Sequence, residues 1–243
     1  MIIDTHCHID LYHNPKKVLQ DCVKADITVL AMTNLPSHFE MGYSHFKSLR
    51  KIRLALGMHP LMADSHKREF SLFLKNIDKT SYIGEVGLDF SKEGISTKDI
   101  QIDTFSKILK EVSGQKKILS IHSRKAEKEV LDLLIRNNAK AAIFHWYSGG
   151  LNVIDAIAEA GYFFSINPAM VKSISGRKII SKIPRHLTLT ETDGPFISEN
   201  NFPIKPGQIQ NVILYLASQW RLSENEVKTI LSENFKRMLM QIK

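Results

Sequence analysis

The chain has 243 residues, 43% of them hydrophobic and 24% charged, with a formal charge of +8 when histidine is neutral. That composition excludes a disordered, collagenous or acidic scaffold protein and fits one large α/β domain. The only cysteines, Cys7 and Cys22, cannot supply a disulfide framework and predict a reducing, cytoplasmic setting.

Read in order, the N-terminal MIIDTHCHID places an acid and two histidines where a signal peptide needs an apolar core. No apolar run approaches the ~20 residues of a membrane span, so neither export nor a membrane is expected. Eight short runs rich in β-branched residues then read as strands: Ile2–Asp4, Thr28–Ala31, Arg53–Leu56, Tyr82–Glu85, Ile118–His122, Ala142–Phe144, Tyr162–Ile166 and Leu187–Thr190. Helical periodicity is seen at Lys16–Ala25, Phe70–Lys75, Lys98–Val112, Lys125–Arg136, Val153–Ala160 and Gln208–Trp220, and two last helices are predicted at Glu224–Ser232 and Phe235–Met240. Cys22 recurs with Val18, Leu19 and Val23 on the first helix and reads as a small core residue. Strands alternating with helices predict eight βα units, a TIM barrel. Residues 1–243 form one domain on this reading, because no repeat or linker divides them. The longest irregular stretch, Asp193–Gly207, follows the eighth strand.

Barrel enzymes carry their chemistry at the C-terminal ends of the strands. There the sequence is polar: His6 and His8 close the first strand, His59 follows the third, Glu85 ends the fourth, His122 ends the fifth, His145 follows the sixth and Asp193 follows the eighth. On an extended strand the spacing of His6 and His8 puts both imidazoles on one face. Such a pair in isolation is more often a solvated face, and Glu85 alone is as readily an ion pair with a lysine or arginine. Six imidazole and carboxylate groups at successive strand ends instead fit two divalent metals with Glu85 between them and hydrolysis as the reaction. GxSxG, Walker A and GxGxxG motifs are absent, and Cys7 has no helix N-terminus to lower its pKa.

The motifs DTHCHID, GMHP (57–60), GEVGLDF (84–90), IHSR (121–124), HWYSG (145–149), ETDGP (191–195) and SENFKRML (232–239), in this order, resemble the TatD-type metal-dependent deoxyribonucleases of the amidohydrolase superfamily. The resemblance implies a distorted (β/α)8 barrel, with His6, His8, Glu85 and Asp193 on one metal and Glu85, His122 and His145 on the other. It also implies hydrolysis of DNA, typically from the 3′ end of single strands, with Mg²⁺, Mn²⁺ or Zn²⁺. Asp193 and Glu85 are then the catalytic carboxylates, with Asp193 relaying the proton of the attacking water. His59 faces the scissile phosphate, or else caps the turn at Pro60. Arg124 grips a phosphate oxygen, or else pairs with Glu127 or Glu129, and Trp146 and Tyr147 are candidates to stack a base.

The chain departs from the family in two places. FISENNFPIKPGQIQN after ETDGP lacks the usual Arg-Asn pair, and HWYSG replaces the more usual Cys-Phe or Gly-Phe after the histidine. These changes favour a specialised copy working beside partner proteins, as TatD-like nucleases do in the Qat anti-phage defence systems, over a housekeeping exonuclease. Two rivals share the residues: a metal-dependent hydrolase of another ester such as D-aminoacyl-tRNA, and a partner-docking barrel whose metals are mainly structural.

Overall fold

Strand runs of three to six residues, each too short to be stable alone, are held by pairing in parallel with their neighbours and by the helices that cover them. The computed structural model describes residues 1–242. Its elements run β1 (Ile3–Cys7), α1 (Pro15–Lys24), β2 (Thr28–Ala31), α2 (Pro36–Phe46), β3 (Ile52–Leu54), β4 (Leu56–Met58), α3 (Ala63–Asn76), β5 (Tyr82–Gly87) and α4 (Lys98–Val112). They continue with β6 (Ile118–His122), α5 (Glu127–Arg136), β7 (Ala141–His145), α6 (Leu151–Glu159), β8 (Phe163–Ile166), α7 (Pro168–Lys172), α8 (Ile174–Lys182) and β9 (Thr188–Thr190). A hairpin, β10 (Ser198–Glu199) and β11 (Phe202–Pro203), precedes α9 (Gln210–Trp220) and α10 (Glu224–Met240).

The strands form two parallel arcs, β1-β2-β3 and β4 through β9 in sequence order. The predicted third strand is broken at Ala55 into β3 and β4. Ala55 still donates its N–H to Ala31 O at 2.8 Å, while Thr33 Oγ1 donates to Ala55 O at 2.8 Å and accepts from Gly57 N at 3.1 Å. The other seam, between β1 and β9, is closed mainly through side chains. Thr190 Oγ1 donates to Ile3 O at 2.6 Å, Thr5 Oγ1 donates to Thr190 O at 3.1 Å, and Asp193 N donates to His6 O at 2.9 Å. The buried Asp4 carboxylate adds a staple there, accepting from Thr192 N, Thr192 Oγ1 and Gly207 N. The result is the expected (β/α)8 barrel, distorted at both seams.

Strand alternation divides the core in two. Val29, Ala31, Leu119 and Ile121 pack with helix residues such as Val18, Cys22 and Phe39, so Cys22 is the core residue its spacing predicts. Leu30, Met32, Ile118, Ile143 and Leu189 instead form an inner cluster with Phe235 and Met238 of α10. The two predicted C-terminal helices are one helix, α10. Its start is set by a capping box at Ser223 and Glu226, and it runs through Asn234, a poor helix former whose amide is spent on tertiary contacts. Three helices lie outside the predicted set: α2, α7 and α8.

Candidate metal centre

The first strand is longer than Ile2–Asp4 predicts: β1 runs through Cys7, so His6 lies within it and His8 just beyond. Both histidines are fully buried. His6 Nδ1 is anchored on Ser120 Oγ at 2.7 Å, which turns its Nε2 toward His8 Nε2 at 3.2 Å. Glu85 Oε2 lies 3.5 Å from His6 Nε2 and 3.2 Å from His8 Nε2. Asp193 Oδ1 lies 3.6 and 3.9 Å from the same two nitrogens.

The other oxygen of Glu85 faces a second group of rings. Oε1 lies 2.6 Å from His122 Nδ1, 2.8 Å from His145 Nε2 and 3.3 Å from His59 Nε2. The six expected ligands therefore meet around one carboxylate. His59, expected beside the phosphate or as the cap of the turn at Pro60, also places a donor atom within 4.8 Å of those of Glu85 and His122. Three groups of donor atoms fall within 4.8 Å of one another: His6, His8 and Asp193; His6, Glu85 and His145; and His59, Glu85 and His122.

The donors fit divalent cations. Four electron-pair donors, 3.2–3.9 Å apart where they meet at the first group, have the spacing of atoms sharing an ion at about 2.0–2.2 Å. Protons alone satisfy this group poorly, because a shared proton serves one pair at a time. Mixed imidazole and carboxylate donors suit Mg²⁺, Mn²⁺ or Zn²⁺.

The electrostatics reflect the crowding. Burial pushes the Glu85 carboxyl up, but His59, His145 and the hydrogen bond from His122 outweigh it and hold it well below the carboxylate range. Burial works against charge on His145, yet Glu85 and Glu191 raise its pKa well above the ordinary imidazole value. His6 goes the other way, lowered by burial and then by His145, whose ring stacks on it at 3.8 Å between centroids. Asp193 is pushed well up by burial; His145 opposes that shift and Glu191 and Glu85 reinforce it. Its backbone is left-handed, with φ 48°, a conformation that aspartate tolerates better than most residues.

Two carboxylates that the strand-end reading passes over support these ligands. Asp89 Oδ2 lies 2.8 Å from His122 Nε2, so both nitrogens of that ring face carboxylates. Burial raises the Asp89 pKa, but hydrogen bonds from His122 and Ser91 bring it down to about 2. Glu191 is fully buried and accepts from Trp146 N at 3.0 Å, from Asn167 Nδ2 at 2.9 Å and from Ser165 Oγ. A usable signal existed: Glu191 continues the inner-facing parity of Leu187 and Leu189, and Asp89 stands four residues after Glu85.

A cavity of about 660 Å³ opens over these groups, bordered by Leu61, Arg124, Trp146 and Phe196. Arg124 is half exposed, and its acidic neighbour is Glu93 at 3.5 Å, in place of the expected Glu127 or Glu129. His59 caps its turn as expected, Nδ1 accepting from Leu61 N at 3.1 Å, while its Nε2 faces Glu85. Tyr147 is corrected to a core residue: it is 1% exposed, its hydroxyl donates to Gly150 O at 2.7 Å, and its ring meets Phe144 and Phe164. It has no face for a base. Trp146 remains half-buried at the rim. Among the described residues no helix is long and apolar enough to cross a membrane.

The chain is also similar to known proteins. The chain is 26% identical over 262 residues to the human deoxyribonuclease TATDN3, covering 100% of this chain and 96% of that protein. It is 27% identical to the uncharacterized metal-dependent hydrolase MJ1582 of Methanocaldococcus jannaschii, covering 98% of each. The crystal structure of YJJV, a TatD homolog from Escherichia coli, superposes with a TM-score of 0.83 over 98% of this chain and 97% of that one; at 23% identity this likeness speaks for the fold. A family described as TatD related DNase matches residues 3–240. A buried carboxylate ringed by strand-end histidines thus sits in a chain whose sequence fits that family almost end to end, and the chain belongs to the TatD-related DNase family of metal-dependent hydrolases.

Proposed function

We propose that the chain is a two-metal phosphodiesterase that removes nucleotides from the 3′ end of single-stranded DNA. The observation that carries this reading is the Glu85 side chain, whose Oε2 faces His6 and His8 while its Oε1 faces His59, His122 and His145. With this carboxylate turned to both groups, His6, His8, Glu85 and Asp193 would hold one ion and Glu85, His122 and His145 the other. Two bound ions supply acidification of a water and neutralisation of charge on the phosphoryl oxygens.

The protein's own groups do the rest. Asp193 Oδ1, beside His6 and His8, takes the proton of the attacking water, and its upward-shifted pKa suits a group that must hold a proton briefly. His59 accepts at Nδ1 from Leu61 N, so its neutral form carries the proton on Nε2 and donates from there into the site; burial, which lowers its pKa, keeps it neutral. Arg124 at the rim binds a phosphate oxygen, and Trp146 offers a face to an unpaired base. The family pattern supports the 3′ to 5′ polarity, and the divergent loop after Asp193 supports a specialised role in anti-phage defence beside partner proteins. The two buried free thiols suit a cytoplasmic setting.

The test is release of nucleotides from 3′- and 5′-labelled single strands by purified protein with Mg²⁺, Mn²⁺ or Zn²⁺, against a Glu85→Ala control. Metal- and Glu85-dependent shortening from the 3′ label is expected. Metal-loaded protein that leaves DNA intact and cleaves D-aminoacyl-tRNA overturns the reading. So does a Glu85→Ala variant that keeps full activity.

A further inference from the structure

One aromatic side chain at the mouth has no place in the chemistry described above. Phe196 is 59% exposed although it borders the catalytic cavity, and its ring meets His8 edge-on, with centroids 5.2 Å apart and planes at 82°. Its position is firmly fixed. Its N–H donates to Asp193 O at 2.9 Å, the next residue, Ile197, is buried, and Ile204 N donates to Ile197 O at 3.0 Å to close the hairpin base. Its backbone is thus anchored, and its ring is left available at the mouth of the cavity.

Trp146 mirrors this arrangement at the other end of the ligand array. Its N–H is held by Glu191, and Tyr147 after it is sunk in the core. Between the two aromatics the imidazoles form a continuous path: His8 lies 5.1 Å from His6, and His6 stacks at 3.8 Å on His145, the residue before Trp146. Phe196 and Trp146 both border the cavity that the reacting phosphate must enter, the first ring exposed and the second half-buried. The rim is also poor in cations: among the described residues Arg124 is the only lysine or arginine bordering the cavity, and it is shared with Glu93. A site with one such cation and two fixed aromatic faces grips nucleic acid by its bases more than by its backbone.

We infer that Phe196 and Trp146 are paired stacking platforms that take the bases of the two nucleotides joined by the scissile phosphate, Phe196 on the His8 side and Trp146 on the His145 side. The inference rests on the DNA-hydrolase reading and deepens it by adding Phe196 as a specificity residue and a physical reason for single-strand preference. In a duplex the two bases stack on their own neighbours and are not free to move onto the rings.

The test uses metal-loaded protein and single strands carrying an abasic residue on one side or the other of the terminal linkage. Phe196→Ala should lower kcat/KM on intact DNA about tenfold, the scale of one lost base–aromatic stack. That penalty should vanish when one particular base is already missing. Trp146→Ala should behave alike with the other base, and Phe202→Ala, which trims a still more exposed ring on β11 away from the cavity lining, should leave the rate unchanged. A second readout is quenching of 2-aminopurine, placed at each position of a strand with an uncleavable methylphosphonate linkage: wild type should quench both positions and Phe196→Ala only one. Equal penalties on intact and abasic strands, or quenching that Phe196→Ala leaves unchanged, would overturn the inference. If wild type cleaves no DNA, the parent reading fails, and the quenching decides separately on the platforms.

Discussion

The two ends of the barrel bury polar groups in opposite ways. At the N-terminal end each one has its own partner: Lys117 Nζ donates to Ile77 O at 2.6 Å and Thr80 O at 2.7 Å, and Asn234 Nδ2 donates to Arg185 O at 2.7 Å and Thr188 O at 2.8 Å. At the C-terminal mouth five imidazoles and two carboxylates converge, and Glu85 alone has five nitrogens within 3.5 Å. Dedicated carbonyl partners make a stable end. Convergence raises local charge and shifts pKa values in both directions, which is tolerable where a ligand is to be bound. The structure thus separates stability from chemistry along the barrel axis, as expected of this fold.

Variants at the two ends should therefore fail in different ways. The largest effect belongs to Glu85→Ala, which removes the shared carboxylate: hydrolysis should fall by at least about 10³-fold while circular dichroism stays native. Glu191→Gln keeps the shape but weakens the hold on the Trp146 backbone and the charge beside His145. A loss of about 10- to 100-fold in kcat/KM is expected, with weaker metal affinity in a calorimetric titration. Unchanged metal affinity would show that Glu191 serves the rim loop alone.

Asn234→Ala is the counterpart at the other end. It removes the side-chain donor to the buried Thr188 carbonyl and to the part-buried Arg185 carbonyl, which keeps the Thr188 N–H, and should cost about 1–2 kcal/mol in a denaturant titration, yet kcat/KM of the folded enzyme should be unchanged. A drop in kcat/KM well below the unfolding transition would break the separation. The smallest effect is a pH dependence. Burial lowers the Lys117 pKa from 10.5, so between its folded and unfolded values the unfolded chain binds the extra proton and stability rises with pH. Relative to Lys117→Gln, the wild type should gain stability as pH is raised toward 10.5. Parallel melting curves would exclude a shifted Lys117.

The distribution of what could be read from the sequence follows the same axis. Strand ends are local, so His6, His8, Glu85, His122, His145 and Asp193 were each visible from an apolar run ending in a polar residue. The partners that aim them were not. Ser120 meets His6 across 114 residues, and Asp89 meets His122 across 33; no local pattern marks either contact. Helix α2, PSHFEMGYSHF, alternates histidine and serine with its apolar residues and gives little periodic signal. Helix α10 reads from sequence as two helices, Glu224–Ser232 and Phe235–Met240; Asn234 in the gap is a poor helix former, and its contacts with Arg185 O and Thr188 O override that preference. Tyr147 and Trp146 are adjacent in sequence, but only the fold shows that one ring is buried and the other is free.

The central claim is that Glu85 joins two metal positions into one hydrolytic site. The most direct test measures bound Mn²⁺ per chain by elemental analysis alongside the rate of DNA hydrolysis as metal is added to stripped protein. Activity should rise only as the second equivalent binds, and Glu85→Ala should bind fewer ions and cleave nothing. Full activity with a single ion bound, or a Glu85→Ala variant that still binds two ions and cleaves DNA, would contradict it.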